Sequence, residues 1–445
     1  MKYSRQGFIL AGLSACAPVF AADVVTVDTG SVGRYSSIAI GTGGLPAIAY
    51  QNGASGTLEF ARCEDAGCAS AVRDTIEDAG GFARGEYLSL GFSANGNPLV
   101  AFYDTDGDDL VIARCANADC SGEEILRTLD PSIEDTGREA SMVLDATGRP
   151  LVAYVNSTDH TLQLARCDTP SCVTATVTEV DADSGNSRGT GAHLVLGDDG
   201  FPVIAYLDTT ADSVRLARCL DEACTSALLT LVEPQVPTTI GGDPAIAIAA
   251  DGNPIIAFFD EDDLALKVAH CNDPACAGPK TVSLIDDRPN GDAGRYCAIA
   301  IRPDGTPVIS YQRHALGGAG GSALRVAECS TMDCTGEVRV VVVDERAGEI
   351  TGVDTDIAIG SDGGAVISYH DVDEQSLKVA KCSLQGCDGP GDRVFADGFD
   401  QERNTFRMAE LAGLDSAADE CNVCITFSPL EMTSCAETAE CSQYW

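Results

Sequence analysis

The residues best placed to do chemistry are cysteines. Twenty occur in 445 residues, and fourteen form seven C-x4-C pairs: Cys63 with Cys68, Cys115 with Cys120, Cys167 with Cys172, Cys219 with Cys224, Cys271 with Cys276, Cys329 with Cys334, and Cys382 with Cys387. A zinc site needs four ligands, and no pair has a second Cys or His pair beside it. Disulfides across tight turns are therefore expected. Each closes so short a loop that chain entropy contributes only roughly 2 kcal/mol. Cys297 lies in an apolar strand and is expected to be buried and inert. Cys421, Cys424, Cys435 and Cys441 could form a redox pair, a zinc site or two disulfides, and disulfides suit an exported chain.

Arg34, Arg84, Arg138, Arg188 and Arg295 precede apolar strands at recurring positions, with Tyr35, Tyr87 and Tyr296 close by. Guanidinium forks converging on one spot could grip a carboxylate or sulfate. Neighbouring carboxylates could then act as acid and base in glycoside chemistry. The plainer reading pairs each arginine with a nearby loop aspartate. Arg34, Arg138, Arg295, Tyr35, Tyr296 and His314 are the ligand-binding candidates. Asp104, Asp106 and Asp108, and likewise Asp260 and Asp262, gather hard oxygens that calcium could use. Neither run has EF-hand spacing, and a solvated acidic loop is the simpler expectation. No HExxH, nucleophile elbow or phosphate-cradling loop occurs, so no catalytic residue is assigned.

These residues sit in a repeat. One frame starts at Gly33, Gly85, Gly137, Gly189, Gly241, Gly294 and Gly352, in four steps of 52 residues, then 53 and 58. Within it the sequence predicts four strands. Strand A is apolar (Ser37-Ile38-Ala39-Ile40), followed by a turn such as Asn95-Gly96 or Asp251-Gly252, where a two-residue hairpin needs positive φ. Strand B opens at a proline in six repeats and runs as Leu151-Val152-Ala153-Tyr154. Strand C ends at the first cysteine, and the pair turns it into strand D, such as Thr176 to Asp181. Strands A and B are apolar at nearly every residue, which means both sheet faces are covered. Seven such units describe a seven-bladed, all-β propeller with four antiparallel strands per blade.

Asp23 to Asp28 reads like a strand D and is expected to complete blade seven, removing an exposed sheet edge. Asp392 to Phe395 is the local rival. The strand B to C loops carry Asn52, Asp104, Asn156, Asp208, Asp260 and Asp371 at one fixed position, as Asx turns would. Blade six departs with Arg313 and an insertion from Gln312 to Gly321. His193 and Asp356 replace the usual strand A serine or alanine.

The balance of 68 acidic and 28 basic residues gives −40, which disfavours nucleic acid and anionic membranes. Residues 1–22 read as a secretion signal: Lys2, Arg5, an apolar run, then Val19-Phe20-Ala21 before a cleavage point. Leu13-Ser14-Ala15-Cys16 offers the alternative of a lipid anchor at Cys16. The expected organisation is a signal over 1–22, a propeller over 23–390 and a small Cys-rich tail over 391–445, with a helix from Thr405 to Glu420.

The line G-x-P-[LVI]-[IV]-[AS]-[YF]-x-[DN], followed by L-x-[VIL]-A-[RKH]-C-x4-C, resembles tandem repeats of uncharacterised exported bacterial proteins. The resemblance covers residues 24 to about 390. It implies a propeller-like fold, no established activity and no catalytic residue. WD40, kelch and sialidase Asp-box patterns are not matched. Val394 to Asp400 resembles a C-terminal motif of secreted proteobacterial proteins. The combined expectation is an exported, monomeric, non-catalytic binding or structural scaffold. It needs no cofactor and takes a glycan, envelope component or protein as ligand. A carbohydrate-active hydrolase or lyase at the Arg/Asp-rich mouth, and a calcium-stabilised adhesion module, are the alternatives.

Overall fold

The computed structural model describes residues 22–77, 84–122, 124–182, 187–233, 244–287, 291–315, 321–384, 386–387, 427–428 and 431–432. The signal, with Cys16, lies outside them. So do the tail helix, the four tail cysteines and the motif at 394–400. The chain divides into two compact units, Met1–Gly391 and Asp392–Trp445.

The first unit is a seven-bladed β-propeller. Strand β1 (Asp23–Thr29) comes first. Blade 1 is β2 (Val32–Ile40), β3 (Pro46–Asn52), β4 (Thr57–Cys63) and β5 (Ala71–Glu77); blade 2 is β6 (Arg84–Phe92), β7 (Pro98–Asp104), β8 (Asp109–Arg114) and β9 (Ile125–Thr128). Blade 3 is β10 (Thr136–Leu144), β11 (Pro150–Asn156), β12 (Thr161–Cys167) and β13 (Ala175–Asp181); blade 4 is β14 (Arg188–Leu196), β15 (Pro202–Asp208), β16 (Ser213–Cys219) and β17 (Ala227–Glu233). Blade 5 is β18 (Ala245–Ile248), β19 (Pro254–Asp260), β20 (Ala265–Cys271) and β21 (Lys280–Asp286); blade 6 is β22 (Gly291–Ile301), β23 (Pro307–Ala315), β24 (Ser322–Cys329) and β25 (Val338–Glu345). Blade 7 joins β26 (Val353–Ile359), β27 (Ala365–Asp371) and β28 (Ser376–Lys381) to β1, which pairs antiparallel with β28 from Asp23↔Lys381 to Thr29↔Ser376. The N-terminal strand thus closes the ring. In the second unit only a short hairpin, β29 (Phe427–Ser428) with β30 (Glu431–Met432), is described.

The second and third strands of each blade are buried almost throughout, whereas the outermost strands alternate. The apolar core is accordingly seven clusters, one between each pair of neighbouring blades.

All seven C-x4-C pairs are disulfides: Cys63–Cys68, Cys115–Cys120, Cys167–Cys172, Cys219–Cys224, Cys271–Cys276, Cys329–Cys334 and Cys382–Cys387, with Cα–Cα separations of 4.5–5.0 Å. They fit an oxidising compartment. The expected tight turn is present. In six pairs the second cysteine's N–H donates to the carbonyl three residues earlier, as from Cys68 to Asp65 (3.2 Å), Cys120 to Asn117 (3.3 Å) and Cys172 to Thr169 (2.9 Å), whereas Cys387 N–H donates to the Glu328 carboxylate. Cys276 donates likewise to Asp273 (3.0 Å) and Cys334 to Thr331 (3.1 Å). The spacing does not announce the backbone state that follows. Cys68 (φ 59°), Cys120 (55°), Cys172 (51°), Cys224 (54°), Cys276 (53°) and Cys334 (54°) are all left-handed. A residue with a Cβ is uncommon in that region, and here the turn bond and the cross-link to the strand end hold it there. Cys297 is buried, and its thiol donates to the Ala257 carbonyl of the previous blade. No helix of the described residues is long and apolar enough to cross a membrane.

Three local expectations need correction. The first-to-second strand turns are not two-residue hairpins. Gly96 N–H donates to the Ser93 carbonyl, Ser93 N–H donates to that of Asn97, and only the glycine has positive φ (82°). That is a type I turn followed by a left-handed glycine. The innermost strands of every blade but the fifth begin earlier than their apolar runs. Arg34 and Tyr35 lie inside β2, where the register slips between Arg34 and Ser37. A bulge keeps this polar segment in the sheet, so it reads as loop in sequence and is strand in space. Asp371, expected in a strand B to C loop, ends β27 and is buried, as is His370 beside it.

The frame glycine has a physical cause. At Gly137 φ is +107°, and a Cβ there would sit 2.6 Å from Leu110 Cα of the preceding blade. Gly33, Gly189, Gly294 and Gly352 meet the same strand position at 2.8–3.0 Å, each with positive φ.

Candidate functional site

The innermost strands surround a central cavity of about 220 Å³, lined by three successive residues from each blade except the fifth, which adds Pro244. The bulge creates this lining. The first residue of each trio is left-handed: Tyr35 (φ 51°), Tyr87 (50°), Glu139 (56°), Gly191 (65°), Tyr296 (51°) and Asp354 (51°). Left-handed backbone costs an L-residue of this kind roughly 1–3 kcal/mol unless its surroundings enforce it. Here the bulge and the flanking glycine enforce it, and the side chains turn into the channel mouth.

Two residues deeper, a ring of side chains stitches blade to blade. Ser37, Ser89 and Ser141 each accept a hydrogen bond from the next blade's backbone N–H, at Leu90 (3.2 Å), Met142 (3.0 Å) and Leu194 (3.0 Å). In blade 4 His193 does this through Nδ1, accepting from Ile246 N–H at 3.2 Å. In blade 7 Asp356 Oδ2 accepts from Ile38 N–H (2.8 Å) and the Ser37 hydroxyl (3.0 Å), while its Oδ1 accepts its neighbour Ile357 N–H. Ala245 and Ala298 offer no such acceptor. The upper layer repeats the theme: Asp354 Oδ2 accepts from Tyr35 N–H (2.9 Å), and Glu139 accepts from Gly191 N–H.

Enclosure sets the electrostatics. Loss of water pushes the Asp354 and Asp356 carboxyls above the usual aspartate range, although backbone N–H donors oppose the shift. The same burial depresses His193 to about 4. A neutral His193 leaves Nδ1 free to accept, as its bond to Ile246 requires.

Farther out, a second seam device appears. Buried tyrosines of the second strands donate to an aspartate closing the outermost strand of the previous blade. The pairs are Tyr50–Asp28 (2.7 Å), Tyr154–Asp130 (2.6 Å), Tyr206–Asp181 (2.6 Å), Tyr311–Asp286 (2.7 Å) and Tyr369–Asp344 (2.9 Å). Blades 2 and 5 have Phe102 and Phe258 instead, and there the preceding strand ends in Glu77 and Glu233.

Arg34, Arg138, Arg188 and Arg295 do not line the cavity. Arg138 pairs with Asp135 at 3.2 Å and lies 4.6 Å over the Tyr103 ring. Arg188 is buried against Asp208, and Arg295 pairs with Asp292 at 2.7 Å over the Phe259 ring. Arg34 is exposed and acts on Asp354 and His370 through its charge. His314 lies on β23, its N–H bonded to Asp292. Tyr35 and Tyr296 do line the cavity, joined by Tyr87, Glu139 and Asp354, which are not among the candidates read from the sequence. The signal was there: within a constant frame, the third position reads Tyr, Tyr, Glu, Gly, Asp, Tyr, Asp.

The acidic loops are bound up locally. Asp104 accepts from Asp106 N–H, and Asp108 accepts from the Tyr103 hydroxyl. Asp260 accepts from Asp262 and Asp263 N–H and pairs with Lys267 at 2.6 Å. Among the described residues one carboxylate group has oxygens close enough to share an ion, Glu349, Asp371 and Glu374. Lys378 already pairs with Asp371 (2.6 Å) and Glu374 (2.8 Å), and Arg346 with Glu374 and Glu349.

No protein-family model matches the sequence, and no curated protein matches it. Solved structures share the fold. The alpha-L-arabinanase of Penicillium chrysogenum, complexed with arabinobiose, is 12% identical over 82% of this chain and 99% of its own, with a TM-score of 0.50. A protein of unknown function from Dyadobacter fermentans is 15% identical over 69% of this chain and 98% of its own (TM-score 0.48). The GH93 alpha-L-arabinofuranosidase of Fusarium graminearum is 11% identical over 82% and 98% (TM-score 0.47). At these identities the likeness is one of fold, and folds of this kind carry many functions.

Proposed function

We propose that the chain is an exported, non-catalytic propeller that works as a binding scaffold at the cell envelope or outside the cell, with its central cavity as the recognition site. One observation carries this reading: the channel carboxylates are used as seam acceptors. Both oxygens of Asp356 hold N–H or O–H donors, and Asp354 and Glu139 each hold a neighbouring blade's backbone. A glycosidase needs two carboxyl groups that exchange protons with substrate and water. Carboxylates that hold the ring together are poorly suited to that cycle. Export is supported by the seven disulfides and by the basic-then-apolar N-terminus.

The test uses the full mature chain against arabinan, a panel of aryl glycosides, and immobilised envelope glycans and proteins. Saturable binding without turnover is the expected result. Turnover that disappears in Asp356→Asn would overturn the reading in favour of a carbohydrate-active enzyme. A melting temperature that falls on calcium chelation would favour the adhesion module instead.

A further inference from the structure

We infer that the central cavity binds an organic ammonium ion, a deepening that rests on the binding reading above. The lining supplies the two features such a cation needs. It presents carboxylates (Asp354, Asp356 and Glu139) and no lysine or arginine among the described residues that form it. It also presents three tyrosines. Tyr35 and Tyr87 stand side by side with ring centroids 4.8 Å apart and planes at 48°, making one wall, and Tyr296 enters from blade 6. Aromatic faces beside carboxylates attract a cation whose charge is spread over carbon-bound hydrogens.

Size and spacing decide against an inorganic ion. About 220 Å³ exceeds what one water or metal fills and suits a small organic molecule. A divalent metal needs several oxygens drawn together around it. The channel carboxylates are not so gathered; the one close group among the described residues belongs to Glu349, Asp371 and Glu374. A diffuse cation has no such requirement and interacts with separate walls.

Two details of the backbone and bonding agree. Tyr35, Tyr87 and Tyr296 occupy a left-handed position that glycine fills at Gly191. The chain therefore keeps a strained backbone with bulky aromatic rings where a residue without strain was available. Asp354 uses Oδ2 for Tyr35 N–H, and its Oδ1 accepts no hydrogen bond from a described residue. A partly buried carboxylate with one oxygen so placed is suited to face a cation in the channel. The net charge of −40 draws cations toward the molecule from a distance.

The experiment titrates the full mature chain by calorimetry with tetramethylammonium, n-butylammonium, the uncharged isostere 3,3-dimethylbutan-1-ol, and calcium. The ammonium ions are expected to bind saturably, at least about tenfold tighter than the neutral isostere. Asp354→Asn keeps an oxygen for Tyr35 N–H but removes the charge, and should weaken binding about tenfold in a folded chain. Tyr87→Phe should bind like the parent and Tyr87→Leu more weakly, and Asp354→Asn keeps the inference testable should Tyr87→Leu misfold. Equal affinity for the neutral isostere, displacement of the ammonium by equimolar calcium, or unchanged binding in both Asp354→Asn and Tyr87→Leu would overturn the inference. A chain that ignores ammonium ions yet binds envelope material without turnover loses this inference alone. Glycoside turnover would instead remove the scaffold reading beneath it.

Discussion

Blades 4 and 7 share one frame and differ at both ends of it. In blade 4 four strands follow in chain order, and the Cys219–Cys224 turn hands β16 to β17. In blade 7 no described residue after the matching Cys382–Cys387 turn joins that sheet, and β1 from the far end of the chain takes the outer place. At the channel, blade 4 presents Gly191 and His193 where blade 7 presents Asp354 and Asp356. The comparison separates what the fold demands from what it permits. It demands a fourth strand in register, from wherever it comes. It demands, at most seams, an acceptor that reaches the next blade. Serine, histidine and aspartate all satisfy that geometry, and the choice among them sets the channel's charge.

The largest expected effect breaks the closure. Deleting residues 23–29 strips β28 of its partner and bares a sheet edge on a ring whose seven clusters depend on one another. Cooperative thermal unfolding, followed by circular dichroism, should be lost. A sharp transition in the deletion variant would show that blade 7 is stable with three strands.

Next come the frame glycines. Ala at Gly189 (φ +95°, Cβ 3.0 Å from Leu162 Cα) or at Gly352 (φ +76°, 2.9 Å from Leu324 Cα) forces a left-handed alanine against backbone. Each should cost about 2–3 kcal/mol in urea unfolding, and the two should be similar despite the different source of the outer strand. A large inequality would mean that blade 7 yields more easily than blade 4.

The titratable seam residues sharpen the contrast because their signs oppose. The His193 pKa of about 4 is below its ordinary 6.5, so folding favours the neutral ring. That stability is present above pH 6.5 and is lost as pH falls toward 4, by roughly 3 kcal/mol. The Asp356 carboxyl is raised above 3.8 by burial, so folding favours its protonated form. That contribution is complete below pH 3.8 and is lost as pH rises through the raised value. Melting temperatures across pH 3–8 should therefore show His193→Ser flattening the acid loss, and Asp356→Asn flattening the alkaline one. Parallel curves for parent and His193→Ser would remove the histidine from this account.

The frame itself was legible because glycine, proline and paired cysteine recur at fixed offsets, each with a local cause. The closing strand was legible too, since Asp23 to Asp28 repeats the pattern of Thr176 to Asp181. The cavity was not. Arg34 and Tyr35 are polar and follow a glycine, so they look like loop until the bulge between Arg34 and Ser37 places them in the sheet. His193 and Asp356 stood out as departures, but their role depends on an N–H 53 or more residues away. No periodicity reports a contact of that kind. The tyrosine–aspartate seams were hidden for the same reason, although one trace existed: strands closing in Asp precede a blade with Tyr, and those closing in Glu77 and Glu233 precede Phe102 and Phe258.

That trace supplies the smallest prediction. Tyr206 donates to Asp181 at the seam into blade 4, and Tyr369 donates to Asp344 at the seam into blade 7. Removing either phenol leaves a carboxylate with fewer donors in a buried place, which costs about 1–2 kcal/mol. Asp181 retains Arg188 and Arg215 within 4 Å. Asp344 retains Lys378 and Arg346 at 3.7 Å. Because cations remain on both sides, Tyr206→Phe and Tyr369→Phe should fall at the lower end of that range and should match each other in urea midpoints. A much larger loss at Tyr369 alone would show that the seam beside the closing blade carries stress that the continuous blades do not, and the two blades would then differ in energy as well as in chain order.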